Sequence, residues 1–513
     1  MPLRLVVAVL IAFASPVSAA EKPNIVVILA DDLGYGDVRC LNPDCKIPTP
    51  NLDRLAASGM IFTDASTPSG VCSPTRYGVM TGRYAWRSKL KNGVLGGLSP
   101  RLIESGRTTV AQLMKDNGYH TACVGKWHLG MDWQLKPDKK VTELSIEPRD
   151  QVFNVEYDKP IKNGPNAVGF DYYFGISASL DMVPYTYIEN DKVTVNPTED
   201  RDFVMMLGKE TPRCRKGPAA PGFDAGDVLP SLTKKAIAYI GERAKAKTPF
   251  FLYIPLASPH TPILPTKDWQ MKSGLNPYAD FVMATDSAVG EVLAAMKANG
   301  VDENTLVIFT SDNGCSPMAD FPVLLKAGHN PSYHFRGHKA DIYEGGHRVP
   351  FIVRWPGKIT PGTKTDRIVC LTDITATCAA ASGAKLLDEV AEDSISFAGA
   401  WESPKDAPAR TGLVTHSING SFAIREGKWK LCLCTGSGGW SAPRPGSKDE
   451  AGLPAVQLYD LEADIAEKTN LQAKHPDIVE RLTKQLEQWV ADGRSTPGKP
   501  QKNTTPVTIL RKK

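Results

Sequence analysis

Asn24-Ile25-Val26-Val27-Ile28-Leu29-Ala30-Asp31-Asp32 is an apolar run that ends abruptly in two carboxylates. An unbroken run of this length suits a strand covered on both faces, because a half-exposed strand would alternate apolar and polar residues. The pattern recurs. Tyr119-His-Thr-Ala-Cys-Val124, Phe250-Phe-Leu-Tyr-Ile-Pro255, Leu306-Val-Ile-Phe-Thr310 and Val349-Pro-Phe-Ile-Val-Arg354 read as four more buried strands. Helical patterns lie between them, at 51–57, at 109–117 and at 277–299. In the last, Val289, Val292, Leu293 and Met296 share one face and Gly300 closes the helix. Strands alternating with helices predict an α/β fold with a large, mostly parallel sheet sandwiched by helices. Such a sheet places its ligand at the carboxyl ends of its strands. Four of the five strands run there into polar residues: Asp31-Asp32, Lys126-Trp127-His128, Ser258-Pro259-His260 and Asp312-Asn313. Acids, an amide, a lysine and two histidines gathered on one edge point to a site.

Away from these strands the chain changes character. Segments 131–165 and 184–226 are rich in Pro, Asp, Lys and Gly and are expected to form loops over the site. From about Trp401 the pattern turns antiparallel. Residues 422–425 and 428–434 flank Glu426-Gly427 as a hairpin, 456–459 is another strand, and 476–490 is an amphipathic helix with Pro at its start. The chain therefore divides into a leader at 1–19, a large domain at 20–400 and a smaller C-terminal α+β domain on an antiparallel sheet at 401–513.

The leader reads as a removable signal peptide: Arg4 supplies the positive start, residues 5–14 the apolar stretch, and Val17-Ser18-Ala19 the small residues of a cleavage site. The stretch is too short to span a bilayer, and no other segment reaches that length. At 513 residues, with a formal charge of +4 spread along the chain, the protein has no basic run suited to nucleic acid. Its ten cysteines hold no zinc spacing. Cys40 with Cys45 and Cys432 with Cys434 are near neighbours, but pairing across one intervening residue is geometrically awkward, so mostly free, buried thiols are expected.

Val71-Cys72-Ser73-Pro74-Thr75-Arg76 is the motif with the most chemistry. A cysteine ahead of a proline often marks only a helix start, and Pro74 suits a first turn. That geometry puts Cys72 at a helix N-terminus, where backbone amides and the dipole favour an anion. Arg76 adds a fork able to hold an oxyanion or a modified Cys72. Asp-Asp and Asp-Asn-Gly taken singly read as turns. At the ends of two central strands they instead offer oxygen ligands for a hard divalent cation.

Cys72-Ser-Pro-Thr-Arg76 followed by Thr81-Gly82-Arg83 resembles the first signature of the formylglycine-dependent (type I) sulfatase family, and 118–130 resembles its second. Asp31 to Asp37, Pro50 to Ala56, Ser311 to Gly314 and Arg336 to Pro350 fit as well, so the resemblance runs from Lys22 almost to the end in family order. It is similar to the arylsulfatase A branch of the alkaline phosphatase-like superfamily. The resemblance implies that Cys72 is converted by a formylglycine-generating maturation enzyme to formylglycine (3-oxoalanine). Its hydrate would attack sulfur, form a covalent sulfo-enzyme and then expel sulfate. Asp31, Asp32, Asp312 and Asn313, with residue 72, match the ligands of one Ca2+, with Mg2+ as the alternative. Lys126 and Lys339 match sulfate-binding lysines. His128 matches the residue that removes a proton to release sulfate, and His260 the one that protonates the leaving oxygen. Asp53, Arg83, Glu344 and Arg348 fall in matched motifs and read as structural. One departure is visible: where the family often has Gly before the lysine, this chain has His338, either a substrate contact or a residue that merely fills a turn.

The implied activity is hydrolysis of a sulfate ester, by analogy on a sulfated carbohydrate of the galactose or N-acetylgalactosamine type, in a periplasmic or secreted bacterial protein. A phosphonate monoester or phosphodiester hydrolase of the same superfamily is the rival enzyme. An inactive protein that binds sulfated glycans is the rival of another class.

Overall fold

The computed structural model describes residues 22–402 and 410–510; the expected signal peptide at 1–19 lies outside the described residues. A ten-stranded sheet forms the centre. In chain order its strands are β1 (Asn24–Ala30), β2 (Met60–Phe62), β3 (His120–Lys126), β4 (Tyr172–Ile176), β5 (Ile188–Glu189), β6 (Lys192–Val193), β7 (Phe250–Pro255), β8 (Thr305–Ser311), β9 (Phe351–Arg354) and β10 (Thr363–Thr365). Their spatial order is β10-β2-β9-β8-β1-β7-β3-β4-β5-β6. β8, β1, β7, β3 and β4 run parallel.

All seven residues of β1 are buried, and their alternation serves two cores. Val26, Ile28 and Ala30 pack with α1 (Pro50–Ala57), α4 (Val228–Ala246) and α5 (Pro277–Ala298). Ile25, Val27 and Leu29 pack with α2 (Cys72–Thr81), α3 (Val110–Asp116) and α6 (Ile374–Ser382). A strand covered on both faces needs no polar face, which is why its sequence shows none.

β9 departs from the parallel expectation. It runs antiparallel to β8, at Val307↔Arg354 through Thr310↔Phe351. Its beginning, not its end, therefore lies at the polar edge, and the segment that enters it, 339–348, supplies the chemistry there. This explains why it alone among the five strands runs into no site residue at its carboxyl end, where Arg354 instead pairs with Asp302. The longest strand and helix of the large unit that the sequence does not announce are the five-residue β4 and the nineteen-residue α4. The short β2, β5, β6 and β10, with α6 and the strand Gly412–His416, are equally unannounced.

The second sheet is antiparallel: β11 (Gly412–His416), β12 (Phe422–Glu426), β13 (Trp429–Cys432) and β14 (Gln457–Asp460), in that order, backed by α7 (Pro476–Ala491). Leu482 and Leu486 of α7 join Leu413, Ile424, Leu431 and Leu458 in a core that also takes in Tyr84 and Trp86 from the larger unit. Charge crosses the same seam. Lys430 Nζ lies 2.9 Å from both Glu344 Oε1 and Glu467 Oε1, all three residues being buried. Arg348 pairs with Glu344 at 2.5 Å and with Asp64 at 2.7 Å, and Arg425 reaches the same Asp64 at 2.6 Å. Burial works against charge on Glu344, but Lys430, then Arg348 and Arg425, outweigh it and hold the carboxyl well below its ordinary range. Glu467 has a smaller share of cation, and burial raises it. Asp53 and Arg83 likewise serve structure: Asp53 accepts from the Cys40 N–H at 3.0 Å, and Arg83 binds the Tyr77 hydroxyl at 3.1 Å and the Lys502 carbonyl at 3.0 Å. None of the ten cysteines is paired, and most are buried. Among the described residues no helix is long and apolar enough to cross a membrane.

Candidate active site

The strand ends meet as the parallel register requires. Beyond β1 the chain is pinned on both sides, the Asp31 N–H donating to Ser258 O at 3.0 Å and the Asp312 N–H to Ala30 O at 3.1 Å. Asp31, Asp32 and Asp312 are thereby packed together at 0–1% exposure. Three buried carboxylates need cations, and three arrive. Lys126 Nζ, at the end of β3, lies 2.6 Å from Asp31 Oδ2 and 2.7 Å from Ser179 Oγ. Lys339 Nζ lies 2.7 Å from Asp32 Oδ1. Arg76, projecting from α2, sets Nε and Nη2 at 2.9 and 2.8 Å from Asp312 Oδ2 and donates Nη1 to the Lys126 carbonyl at 2.8 Å. Its fork is therefore committed to Asp312.

Burial alone would raise the Asp31 carboxyl. Lys126, His260, Arg76 and Lys339 together outweigh it and hold the group far below the ordinary carboxylate range. Burial, with Asp31 as a like-charged neighbour, pushes Asp312 up to about 6 despite Arg76 and Lys126. The two acids compete for the same cations. The residues fit a hard dication. Asp31 Oδ1 and Asn313 Oδ1 are both buried without a hydrogen-bond partner, and the donors around them are oxygens. Asp31, Asp32 and His260 each bring one ligand-capable atom within 4.8 Å of the others. We favour the oxygens over the imidazole here, because a hard cation prefers them.

Cys72 is the first residue of α2, preceded by Val71 in extended conformation, and is 2% exposed. The helix thus starts two residues ahead of Pro74, which sits in its first turn. Burial raises the Cys72 thiol, with Lys126 and Lys339 pulling the other way. An unmodified Cys72 is accordingly a thiol and not an activated thiolate. Lys339 is itself clamped into this region: the neighbouring Ala340 N–H donates to Gly70 O at 2.7 Å, two residues before Cys72, and Ala340 O accepts from the Ile418 N–H at 2.9 Å.

The two histidines are oriented differently. His128, at φ +57°, places Nε2 2.8 Å from Leu95 O. A carbonyl only accepts, so Nε2 carries the proton and Nδ1 is left as the base. Nδ1 is buried and has no partner. Burial, then Lys126, holds His128 well below the ordinary histidine range, so the ring is neutral. His260 is the reverse: Nδ1 faces Thr261 O at 2.7 Å, which turns Nε2 toward Asp32 Oδ2 at 3.6 Å. His260 and Lys339 keep 6% and 5% exposure, whereas Lys126, His128, Arg76, Asp312 and Asn313 have none. These two are therefore the site residues closest to solvent.

Asp31, Asp32, Cys72, Arg76, Lys126, His128, His260, Asp312, Asn313 and Lys339 lie together at this strand edge, whereas Asp53, Arg83, Glu344 and Arg348 make their contacts outside it. Ser179 and Leu95 are not visible in the sequence, because each acts through an ordinary hydroxyl or carbonyl in a loop and carries no compositional signal.

Comparison with known proteins agrees with this geometry. The family model for sulfatases matches residues 23–384. The chain is 33% identical to an N-acetylgalactosamine-6-O-sulfatase of Bacteroides thetaiotaomicron, covering 91% of this chain and 93% of that one. It is 32% identical to arylsulfatase A of Homo sapiens, covering 93% and 89%. A solved structure from work on the metabolism of multiple glycosaminoglycans by Bacteroides thetaiotaomicron superposes with a TM-score of 0.77 at 32% identity, covering 91% and 99%. With the strand-end acids, the two lysines and Cys72 brought together on the sheet edge, the chain belongs to the sulfatase family and is a sulfuric ester hydrolase.

Proposed function

We propose that this sulfatase removes sulfate from a carbohydrate of the galactose or N-acetylgalactosamine type, using Cys72 after its oxidation to formylglycine. The observation that carries this is the position of Cys72: a buried, protonated thiol at a helix N-terminus, in the electrostatic field of Lys126 and Lys339. Likeness over the whole chain to an enzyme named for the 6-O-sulfate of N-acetylgalactosamine supports the substrate class.

Oxidised to the aldehyde and hydrated, residue 72 supplies two hydroxyls on one carbon, one to attack sulfur and the other to expel sulfate once it loses a proton. The chain's own groups serve those events. Lys126 and Lys339 hold the sulfate oxygens, where charge is concentrated in the transition state. His260 in its doubly protonated form, with Thr261 O holding the Nδ1–H, gives its Nε2 proton to the departing sugar oxygen. His128 takes the second hydroxyl proton on Nδ1, with Leu95 O fixing the tautomer. Asp31, Asp32, Asp312 and Asn313, with the residue-72 oxygen, would hold one Ca2+, or Mg2+, which supplies Lewis acidity toward the sulfate and the hydrate. Arg76 keeps Asp312 charged and in place.

The same reading assigns 20–400 to catalysis and 401–513 to a C-terminal subdomain, and takes the protein as exported from a bacterial cell by residues 1–19 after contact with a formylglycine-generating enzyme. The test is sulfate release from a panel of sulfated mono- and disaccharides, with mass spectrometry of the peptide containing residue 72. Release from a galactose- or N-acetylgalactosamine-type sulfate, with an aldehyde at residue 72, is expected. Full activity with an intact thiol would overturn the mechanism. Release from aryl sulfates but from no sugar sulfate would overturn the substrate class.

A further inference from the structure

His338 occupies the position where the lysine motif departs from its family, and it directly precedes Lys339 in the chain. We propose that His338 Nε2 accepts a hydrogen bond from a ring hydroxyl of the sulfated sugar and thereby selects among sugars. The inference rests on the carbohydrate reading above and adds the residue that reads the sugar.

His260 and Lys339 are the most exposed of the clustered residues, at 6% and 5%, which puts the sugar attached to a bound sulfate on their side of the site. His338 adjoins Lys339, and its side chain is 17% exposed. It does not merely fill a turn. The left-handed position of the turn is Gly337, at φ +76°, where an added Cβ would lie 2.7 Å from Asp341 Oδ2. His338 itself is outside the left-handed region.

The ring is held from three directions. The His338 backbone N–H donates to Asp341 Oδ2 at 3.0 Å. Nδ1 lies 3.0 Å from Lys339 O, and because a carbonyl only accepts, Nδ1 carries the proton. The Phe321 ring packs against the imidazole at 5.7 Å between centroids. Asp341 is in turn anchored, its Oδ1 accepting from the Trp440 and Ser441 N–H groups at 2.8 and 2.9 Å. With Nδ1 carrying the only ring proton, and Asp341 Oδ2 3.6 Å from it, the imidazole presents a lone pair on Nε2 in a fixed direction.

That polarity decides what it recognises. Sulfate oxygens are acceptors and gain nothing from a lone pair, whereas a sugar hydroxyl can donate to it. A fixed acceptor loses little freedom when it binds, so it discriminates between a hydroxyl and its absence.

The experiment compares wild type with His338→Ala and His338→Gln on 6-sulfated galactose and N-acetylgalactosamine and on their 3-deoxy and 4-deoxy analogues. Wild type should lose about ten-fold or more in kcat/KM on one of the deoxy sugars. His338→Ala should show a similar loss on the parent sugar and almost no further loss on that analogue. Gln, whose Oε1 stands near the Nε2 position, should recover part of the discrimination. An equal loss on parent and deoxy sugars in His338→Ala would overturn the proposal, because it would mean that His338 acts only by holding Lys339. Unchanged kinetics on all of them would overturn it as well. Failure of wild type to release sulfate from any sugar, while it still hydrolyses an aryl sulfate, would instead strike the carbohydrate reading, and this proposal with it.

Discussion

Replacing Lys430 by methionine keeps most of the side-chain volume and removes one ammonium from the seam between the two sheets. Glu344 and Glu467 each lose a partner at 2.9 Å. They do not suffer equally. Glu344 retains Arg348 at 2.5 Å, whereas Glu467 keeps the Glu344 N–H at 2.7 Å and no cation of its own in the network. Breaking a buried pair on one side typically costs about 3–5 kcal/mol, and a loss of roughly that size is expected at neutral pH. The dependence on pH has a definite sign. Burial already raises Glu467 in the wild type, and loss of Lys430 raises it further. A carboxyl raised by folding stabilises the fold when protonated, so the deficit is smallest below the ordinary glutamate range and grows as pH climbs through the folded value. Adding Glu467→Gln removes the stranded charge and should recover about 1–3 kcal/mol. Urea unfolding followed by tryptophan fluorescence at several pH values measures all three quantities. A loss under about 1 kcal/mol, the range of an exposed pair, or a deficit that shrinks as pH rises, would refute the reasoning.

Cys72→Ala should cut sulfate release by about 10⁴-fold or more while costing about 1 kcal/mol of stability, read by turnover and thermal melting together. Chelation should abolish activity, and calcium or magnesium should restore it; full turnover of enzyme shown metal-free by elemental analysis would contradict the oxygen-ligand assignment. His260→Ala should lose about 10²–10⁴-fold on a sugar sulfate and much less on a nitrophenyl sulfate, whose leaving group hardly needs a proton. His128→Ala should slow both substrates and accumulate a sulfate adduct on the residue-72 peptide; absence of the adduct, with slow first-turnover alcohol release, would assign His128 to sulfate binding.

The parts of the fold legible in the sequence are those whose burial is complete. β1 and β8 are covered on both faces and show it as unbroken apolar runs. α4 is harder to see, because Pro230 and Gly241 interrupt a pattern whose buried face includes Thr233 and Ala236. β4 is short and contains Gly175, placed where its Cβ would meet Gly125 O at 1.7 Å, a close approach that a sequence cannot display. The site residues were recognisable through family motifs, but their partners were not. Arg76 reads as a fork for an oxyanion and is instead joined to Asp312, 236 residues away. The roles of the two histidines depend on Leu95 O and Thr261 O, since a carbonyl beside a ring nitrogen fixes the tautomer and leaves no mark in composition.

The burial of Cys72 sets a timetable for making this enzyme. A residue 2% exposed at the start of a helix in the main core is out of reach of a second protein's active site unless that core opens. For a domain stable by about 5–15 kcal/mol, global opening exposes fewer than roughly one molecule in 10³ at any moment. If Cys72 is oxidised as proposed above, the oxidation must overtake folding and act on a chain still extended. A host that makes the chain faster than it can oxidise it would accumulate well-folded molecules with a thiol at position 72. Adding the maturation enzyme to that purified material would not repair it; unfolding it first would.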